Sequence, residues 1–216
     1  MKLLAVDTTT DACSAALYVD GATSVRYERE PRRHTELLLP MIDQLLAEAN
    51  IPLNQLDAIA FCNGPGSFTG IRVVMGVVQG LAFALDLPVV PVSTLAVMAQ
   101  GAYRQYKAQR VQVMVDARMG DVYFGAYELS AQQVMVPVVG DCLCKQGMQP
   151  VLEGEWVRVG SGWAEETGDT YPHWLPHAED LLVLALAQFK QSGGRNISEV
   201  VPVYLRDEVA WGKVGG

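Results

Sequence analysis

Leu3-Leu4-Ala5-Val6-Asp7-Thr8-Thr9-Thr10-Asp11 opens the chain, and Val111-Gln112-Val113-Met114-Val115-Asp116-Ala117-Arg118 repeats its plan. Each is a short apolar run of strand-forming residues that ends in an Asp and a polar turn. After the first copy come two more strand patterns, Cys13 to Val19 and Ser24 to Arg29, split by the hairpin signal Asp20-Gly21. After the second copy come a turn over Ala117 to Asp121, then Val122 to Leu129 and Gln133 to Val138. Asp7 and Asp116 lie 116 − 7 = 109 positions apart, and without a gap Val6 then matches Val115, Tyr18 matches Tyr127 and Val25 matches Val134. Strand, Asp, turn and two further strands recurring in one order predict a duplicated α/β protein with two lobes, 1–108 and 109–216, and a cleft between them.

Helices follow each meander. Thr35 is the expected cap of a helix with apolar positions Leu38, Leu39, Ile42, Leu45, Leu46 and Ala49, and Pro40 should delay or bend it. Asp57 to Cys62 reads as a buried strand. The loop Asn63 to Gly70 leads into a long helix ending near Leu85, Pro88 to Val92 is a strand, and Ser93 caps a helix to about Tyr106. The first lobe is therefore β-β-β-α-β-α-β-α. The second is reduced: a strand at Trp156 to Val159, a helix at Ala178 to Gln191, an extended piece at Pro202 to Arg206, and a fraying end at Gly212 to Gly216.

Composition narrows the function classes. Half of the 216 residues are hydrophobic and 19% are charged, so the chain can build a core and is not disordered. Lys and Arg number 16 against 24 Asp and Glu, a net charge of −8, which argues against a stand-alone nucleic-acid binder. No basic run offsets this; Arg32-Arg33 is an isolated pair of neighbours. Cys13, Cys62, Cys142 and Cys144 show no paired zinc spacing and read as reduced thiols, with Cys142-Leu-Cys144 a weak metal or redox hint. Asp7 falls too early for a signal peptide, and Val73 to Leu85, interrupted by Gln79, is shorter than the ~20 residues that span a bilayer. A cytoplasmic protein with no membrane contact is expected. His173 and His177 imitate an HxxxH pair, but Pro176 suits the first turn of a helix and leaves His173 off the shared face. No metal site is expected.

Three segments invite functional readings. The turns Asp7-Thr8-Thr9-Thr10 and Asp116-Ala117-Arg118 should face each other across the cleft, as a phosphate and Mg²⁺ site or as plain turns. The loop Gly64-Pro65-Gly66-Ser67-Phe68-Thr69-Gly70 is either an anion cradle at a helix N-terminus or a tight strand-to-helix connection. In the next helix Gly76, Gly80 and Ala84 form one small-residue row beside Val73 and Val77, fit for a subunit interface or an internal partner helix. Leu38, Ile42 and Leu45 of the preceding helix are expected to flank that interface.

Taken together, Leu4-Ala5-Val6-Asp7-Thr8, His34-Thr35-Glu36-Leu37-Leu38-Leu39-Pro40, Gly64 to Arg72, Pro91-Val92-Ser93-Thr94-Leu95, Asp116-Ala117-Arg118 and Tyr204-Leu205-Arg206 resemble the bacterial TsaB (YeaZ) family from end to end. The resemblance implies the duplicated actin/Hsp70-like ATPase fold. It also implies a part in making threonylcarbamoyladenosine beside the tRNA anticodon. TsaB there partners its paralogue TsaD, which transfers threonylcarbamoyl from an adenylate, and the ATPase TsaE completes the assembly. Homodimers are expected when the chain is alone, and tRNA contact only through the complex.

TsaD-type sequences carry a metal-binding HxxxH after the Pro-Val strand end. Aligned on Pro91-Val92, those positions fall on Thr94 and Met98, poor substitutes for imidazole ligands. Only Gly160-Ser161-Gly162 resembles an adenosine-contacting loop. The resemblance thus implies a scaffold with no catalytic residue and no tightly bound cofactor. Asp7, Thr8, Thr9, Thr10 and Asp116 are the candidates for any ATP or ADP held with Mg in the complex. The rival readings are a small-molecule kinase, a metallopeptidase or a nucleotide-sensing regulator of this fold.

Overall fold

A computed structural model describes residues 1–165 and 167–206, so Gly212 to Gly216 lie outside the described residues. Two five-stranded sheets form the frame. The first is built from β1 (Lys2–Asp7), β2 (Cys13–Val19), β3 (Ala22–Glu28), β4 (Ala58–Cys62) and β5 (Val89–Val92), in the order β3-β2-β1-β4-β5. The second uses β6 (Arg110–Asp116), β7 (Asp121–Leu129), β8 (Met135–Lys145), β9 (Val157–Val159) and β10 (Thr170–Tyr171), in the order β10-β9-β6-β7-β8. Each has an antiparallel meander on one side of its first strand and two parallel strands on the other. Order and direction match strand for strand, so the architecture is duplicated and actin-like.

The ungapped residue matches hold only for β1 and β6. Leu3 pairs with Tyr18, whereas Gln112, its counterpart, pairs with Ala126. Tyr18 therefore corresponds to Ala126 rather than Tyr127, because the β6–β7 turn is one residue tighter. Val134 precedes β8 and is no counterpart of Val25, which lies within β3.

The helices are α1 (His34–Ala49), α2 (Phe68–Leu85), α3 (Thr94–Tyr106) and α4 (Ala178–Ser192). Among the described residues no helix joins β8 to β9 or β9 to β10, where the first lobe has α1 and α2; this is how the second lobe is reduced. α1 begins at His34, ahead of the expected Thr35 cap, and Arg33 gives it no side-chain cap. Its first turn is tied instead by His34 Nε2, 2.8 Å from the Thr10 carbonyl. Pro40 sits within the helix on its exposed side. The apolar stripe of α1 faces the first sheet: Leu38, Ile42 and Leu45 are buried with Leu4, Val6 and Ile59. Each such side chain contributes about 1.5–3 kcal/mol through removal from water. These three are core residues, which corrects their expected place on an interface.

The chain crosses itself in covering the sheets. α3, from the first half, packs Leu95, Met98, Ala99 and Ala102 on Val111, Val113 and Val159 of the second sheet. α4, from the second half, packs Leu181, Leu182 and Ala185 on Leu3, Ala5, Ala60 and Val90 of the first. Asp180 of α4, almost fully buried, accepts two bonds from the Arg104 guanidinium of α3, at 2.8 and 3.0 Å. The boundary after residue 108 divides the strands by sheet but does not divide the cores.

Candidate functional site: a cleft between the sheets and an exposed helix face

The loop before α2 is built for close approach. Ser67 N–H donates to the Thr9 carbonyl at 2.7 Å, and the Thr8 hydroxyl donates to the Gly70 carbonyl at 2.7 Å. A Cβ on Gly66 would lie 2.5 Å from the Thr9 oxygen, and one on Gly70 would lie 1.9 Å from the Thr8 oxygen. The glycines therefore let this loop lie against the turn after β1. Ser67 caps α2, accepting from Gly70 N–H at 3.3 Å. This is the tight-connection reading of the loop, with a second backbone as its partner.

That packing closes Asp7 off. Asp7 and Thr8 are wholly buried, and neither lines the cleft. Asp7 Oδ1 accepts from the amide and hydroxyl of Thr9, at 3.0 and 2.7 Å. Its Oδ2 lacks a hydrogen-bond partner of normal geometry, although the Cys62 thiol is close enough to lower the Asp7 pKa. Burial raises that pKa above the usual carboxylate range, against the two Thr9 bonds. A carboxylate so enclosed, with the Thr8 hydroxyl already spent on Gly70, does not fit a Mg-phosphate site. Thr9, Thr10 and Asp116 do line one cleft of about 880 Å³ between the sheets. Asp116, exposed at its rim, is engaged by Arg118 through the backbone amide at 2.8 Å and the guanidinium at 3.3 Å.

The two positions aligned with metal ligands are also occupied by structural contacts. The buried Thr94 hydroxyl donates to Thr9 Oγ1 at 3.2 Å, and Met98 packs beneath the second sheet. Among the described residues, no three His, Cys, Asp or Glu side chains converge as a metal set. His177 caps α4 and stacks on Tyr27, while His173 lines the cleft; Pro176 precedes the cap instead of entering the helix. Gly160-Ser161-Gly162 folds against Met114, where a Cβ on either glycine would lie 2.5 Å from it. Ser161 Oγ accepts from the Asp116 amide at 3.1 Å.

Sequence reasoning missed the cleft's basic character. Arg29, Arg72, Arg118 and Arg206 line it, although they are far apart in the chain and no local basic run marks them. Arg72, Arg118 and Arg206 stood inside the family-like strings, with no role attached to their charge.

α2 has two unlike faces. Ile71, Val74, Met75, Val78 and Ala82 are buried on the first sheet. Gly76, Gly80 and Ala84 are exposed, Val73 and Val77 are half-buried, and Phe83 is 86% exposed beside them. A Cβ on Gly76 or Gly80 would meet nothing within 4 Å. This small-residue row packs on nothing within the described residues, so an internal partner helix is not its purpose.

The duplicated sheets and inter-sheet cleft define an actin-like α/β protein. Consistent with that class, the family described as TsaD, tRNA N6-adenosine threonylcarbamoyltransferase, matches residues 28–154. The tRNA threonylcarbamoyladenosine biosynthesis protein TsaB of Escherichia coli is 40% identical, covering 100% of this chain and 99% of its own. Its counterpart in Haemophilus influenzae is also 40% identical, with 100% and 98% covered. The structure of YeaZ from Pseudomonas aeruginosa superposes with a TM-score of 0.88 at 43% identity, covering 94% of this chain and 99% of that one. The chain belongs to the TsaB/YeaZ family.

Proposed function

We propose that this chain is a non-catalytic subunit that docks on a TsaD-type threonylcarbamoyl transferase and activates it, with a TsaE-type ATPase completing the assembly. The exposed small-residue face of α2 carries the reading. It offers a flat, apolar approach of helix to helix, rare on the surface of a lone monomer, and the TsaB relatives are named for threonylcarbamoyladenosine biosynthesis. Alone, the chain would pair this face with its own copy, through a two-fold isologous contact. The enclosed Asp7 and the residues Thr94 and Met98 support a chain without chemistry of its own. Any ATP or ADP with Mg would belong to the assembled complex in the cytoplasm, and tRNA would meet this subunit there. The test is reconstitution: pull-down with the TsaD-type paralogue from the same cell, then tRNA modification with and without this chain. Capture together with dependence of modification on this chain supports the reading. Full modification in its absence refutes it.

A further inference from the structure

Residues 200–206 form neither helix nor strand and run as a strap from one lobe to the other. The near end belongs to the first lobe. Val200 is buried in the core that α1 and α2 share with the first sheet. Val203 N–H donates to the Asn63 carbonyl at 2.8 Å, and a Cβ on Gly64 would lie 2.7 Å from the Val203 oxygen, so the strap lies directly against the end of β4. Tyr204 then meets Phe68, the first residue of α2, with ring centroids 5.6 Å apart. The far end grips the second lobe. The Arg206 guanidinium pairs with Asp121 Oδ2 at 2.8 Å and donates to the carbonyls of Ala117 and Arg118 at 3.1 and 3.2 Å.

All three acceptors sit at the turn that joins β6 to β7, and that turn needs holding. Arg118, Met119 and Gly120 have φ of 67°, 58° and 75°. Left-handed backbone costs glycine little but strains residues that carry a Cβ, and hairpin turns of this hand favour Gly, Asn or Asp. Packing does not compensate, because the Arg118 side chain is 87% exposed and Met119 73%. The second lobe supplies part of the support: Lys145 reaches Asp121 Oδ1 at 2.7 Å, and Gln146 N–H donates to the Gly120 carbonyl at 3.0 Å. Arg206 adds a planar fork that serves a carboxylate and two carbonyls at once. Asp121 is nearly buried, so water competes with this pair less than with a surface ion pair. The strap's hold on the ring of Phe68 is lighter, since Tyr204 and Phe68 are both exposed.

We infer that residues 200–206 are a latch: seated on Phe68, the strap brings Arg206 to the β6–β7 turn and keeps that turn left-handed, and lifting Tyr204 from Phe68 lets the turn relax. Whatever covers or displaces Tyr204 at the start of α2 is thereby felt at Arg118 and Met119 in the other lobe, and the coupling runs equally in reverse. The latch is a property of the lone chain, independent of what docks on the small-residue row of α2.

The experiment is hydrogen exchange of the full chain, comparing amides over 117–121 with those at Val113 and Phe124 in the adjoining strands. Arg206→Met should speed exchange over 117–121 by about tenfold or more, since three acceptors lose a charged donor. Arg206→Lys keeps the charge without the fork and should fall between that variant and the parent. Phe68→Ala, a change in the first lobe, should speed the same amides by about threefold. Tyr204→Ala, which leaves Arg72 stacked on Phe68, should repeat that result. Val113 and Phe124 should exchange as in the parent throughout, which separates release of the turn from general loosening. Parent rates over 117–121 in Arg206→Met, equal acceleration at Val113 and Phe124, or a turn that ignores both Phe68→Ala and Tyr204→Ala overturns the latch.

Discussion

Replacing Gly80 by Leu should separate docking from folding, because the two respond with opposite signs. Gly80 is exposed in the middle of α2, and a Cβ placed there meets nothing within 4 Å. The monomer therefore has room for the new side chain. Glycine in a helix interior is about 0.8–1 kcal/mol worse than Ala, and Leu is close to Ala, so the isolated fold should gain roughly 0.5–1 kcal/mol. A partner helix seated on the Gly76–Gly80–Ala84 row would meet that bulk at closest approach. Overpacking a fitted contact costs about 1–3 kcal/mol, or about 5- to 150-fold in affinity at 1.4 kcal/mol per decade. Sedimentation reads the homodimer, pull-down reads the TsaD-type paralogue, and urea denaturation reads the fold. The expected variant is a folded, slightly more stable monomer with impaired capture. Undiminished dimer and capture in a folded variant would remove this row from the interface. A destabilised variant would mean that the face is covered within the monomer.

Gly70→Ala should behave in the opposite way, since its Cβ would lie 1.9 Å from the Thr8 carbonyl oxygen: a loss of about 3 kcal/mol in urea denaturation is expected. Asp7→Asn tests the enclosed carboxylate. Burial raises the Asp7 pKa, so the native state holds its proton more tightly than the unfolded chain, and its contribution to stability falls as pH rises from below 3.8 through the raised value. The stability of Asp7→Asn relative to the parent should therefore improve between pH 4 and pH 7, and a pH-independent difference would show Asp7 to titrate normally. Arg104→Met leaves Asp180 buried beside Glu179 without its bidentate partner, for an expected loss of about 2 kcal/mol, discounted because Arg104 is 37% exposed. Metal analysis of the purified chain should find no stoichiometric Zn or Fe, given Thr94 and Met98 at the aligned ligand positions; one tightly held ion per chain would refute this.

Most of the strands were legible, though not their order in the sheets nor the short β10, because the two copies of strand-Asp-turn are local patterns of apolar runs and turn chemistry. The helix after each glycine or serine signal was legible for the same reason, with Ser67 and Ser93 capping as their types predict. Register was not. The one-residue difference between the β1–β2 and β6–β7 turns leaves no mark in composition, yet it changes which residues correspond. Burial of Leu38, Ile42 and Leu45 was legible as an apolar stripe, but a stripe does not say whether it faces a sheet or another chain. Periodicity is equal for both, and only the position of the first sheet, with β2 directly beneath α1, decides it. The cleft arginines escaped for a different reason: Arg29, Arg72 and Arg206 come from separate stretches of chain, and only the fold brings them to the cleft where the Arg118 turn was expected.

The exchange of helices between the sheets also sets a timetable for synthesis. The first sheet is complete in sequence at Val92, but the helix that covers Leu3, Ala5, Ala60 and Val90 ends at Ser192. At about 5–20 residues per second, the ribosome needs on the order of 5–20 s to make the intervening stretch. Throughout that interval one face of the sheet is bare and apolar, able to meet a chaperone or another nascent chain. A release at residue 108 would make that exposure permanent, so the amino-terminal half should be a poor candidate for an independent folding unit in the cell.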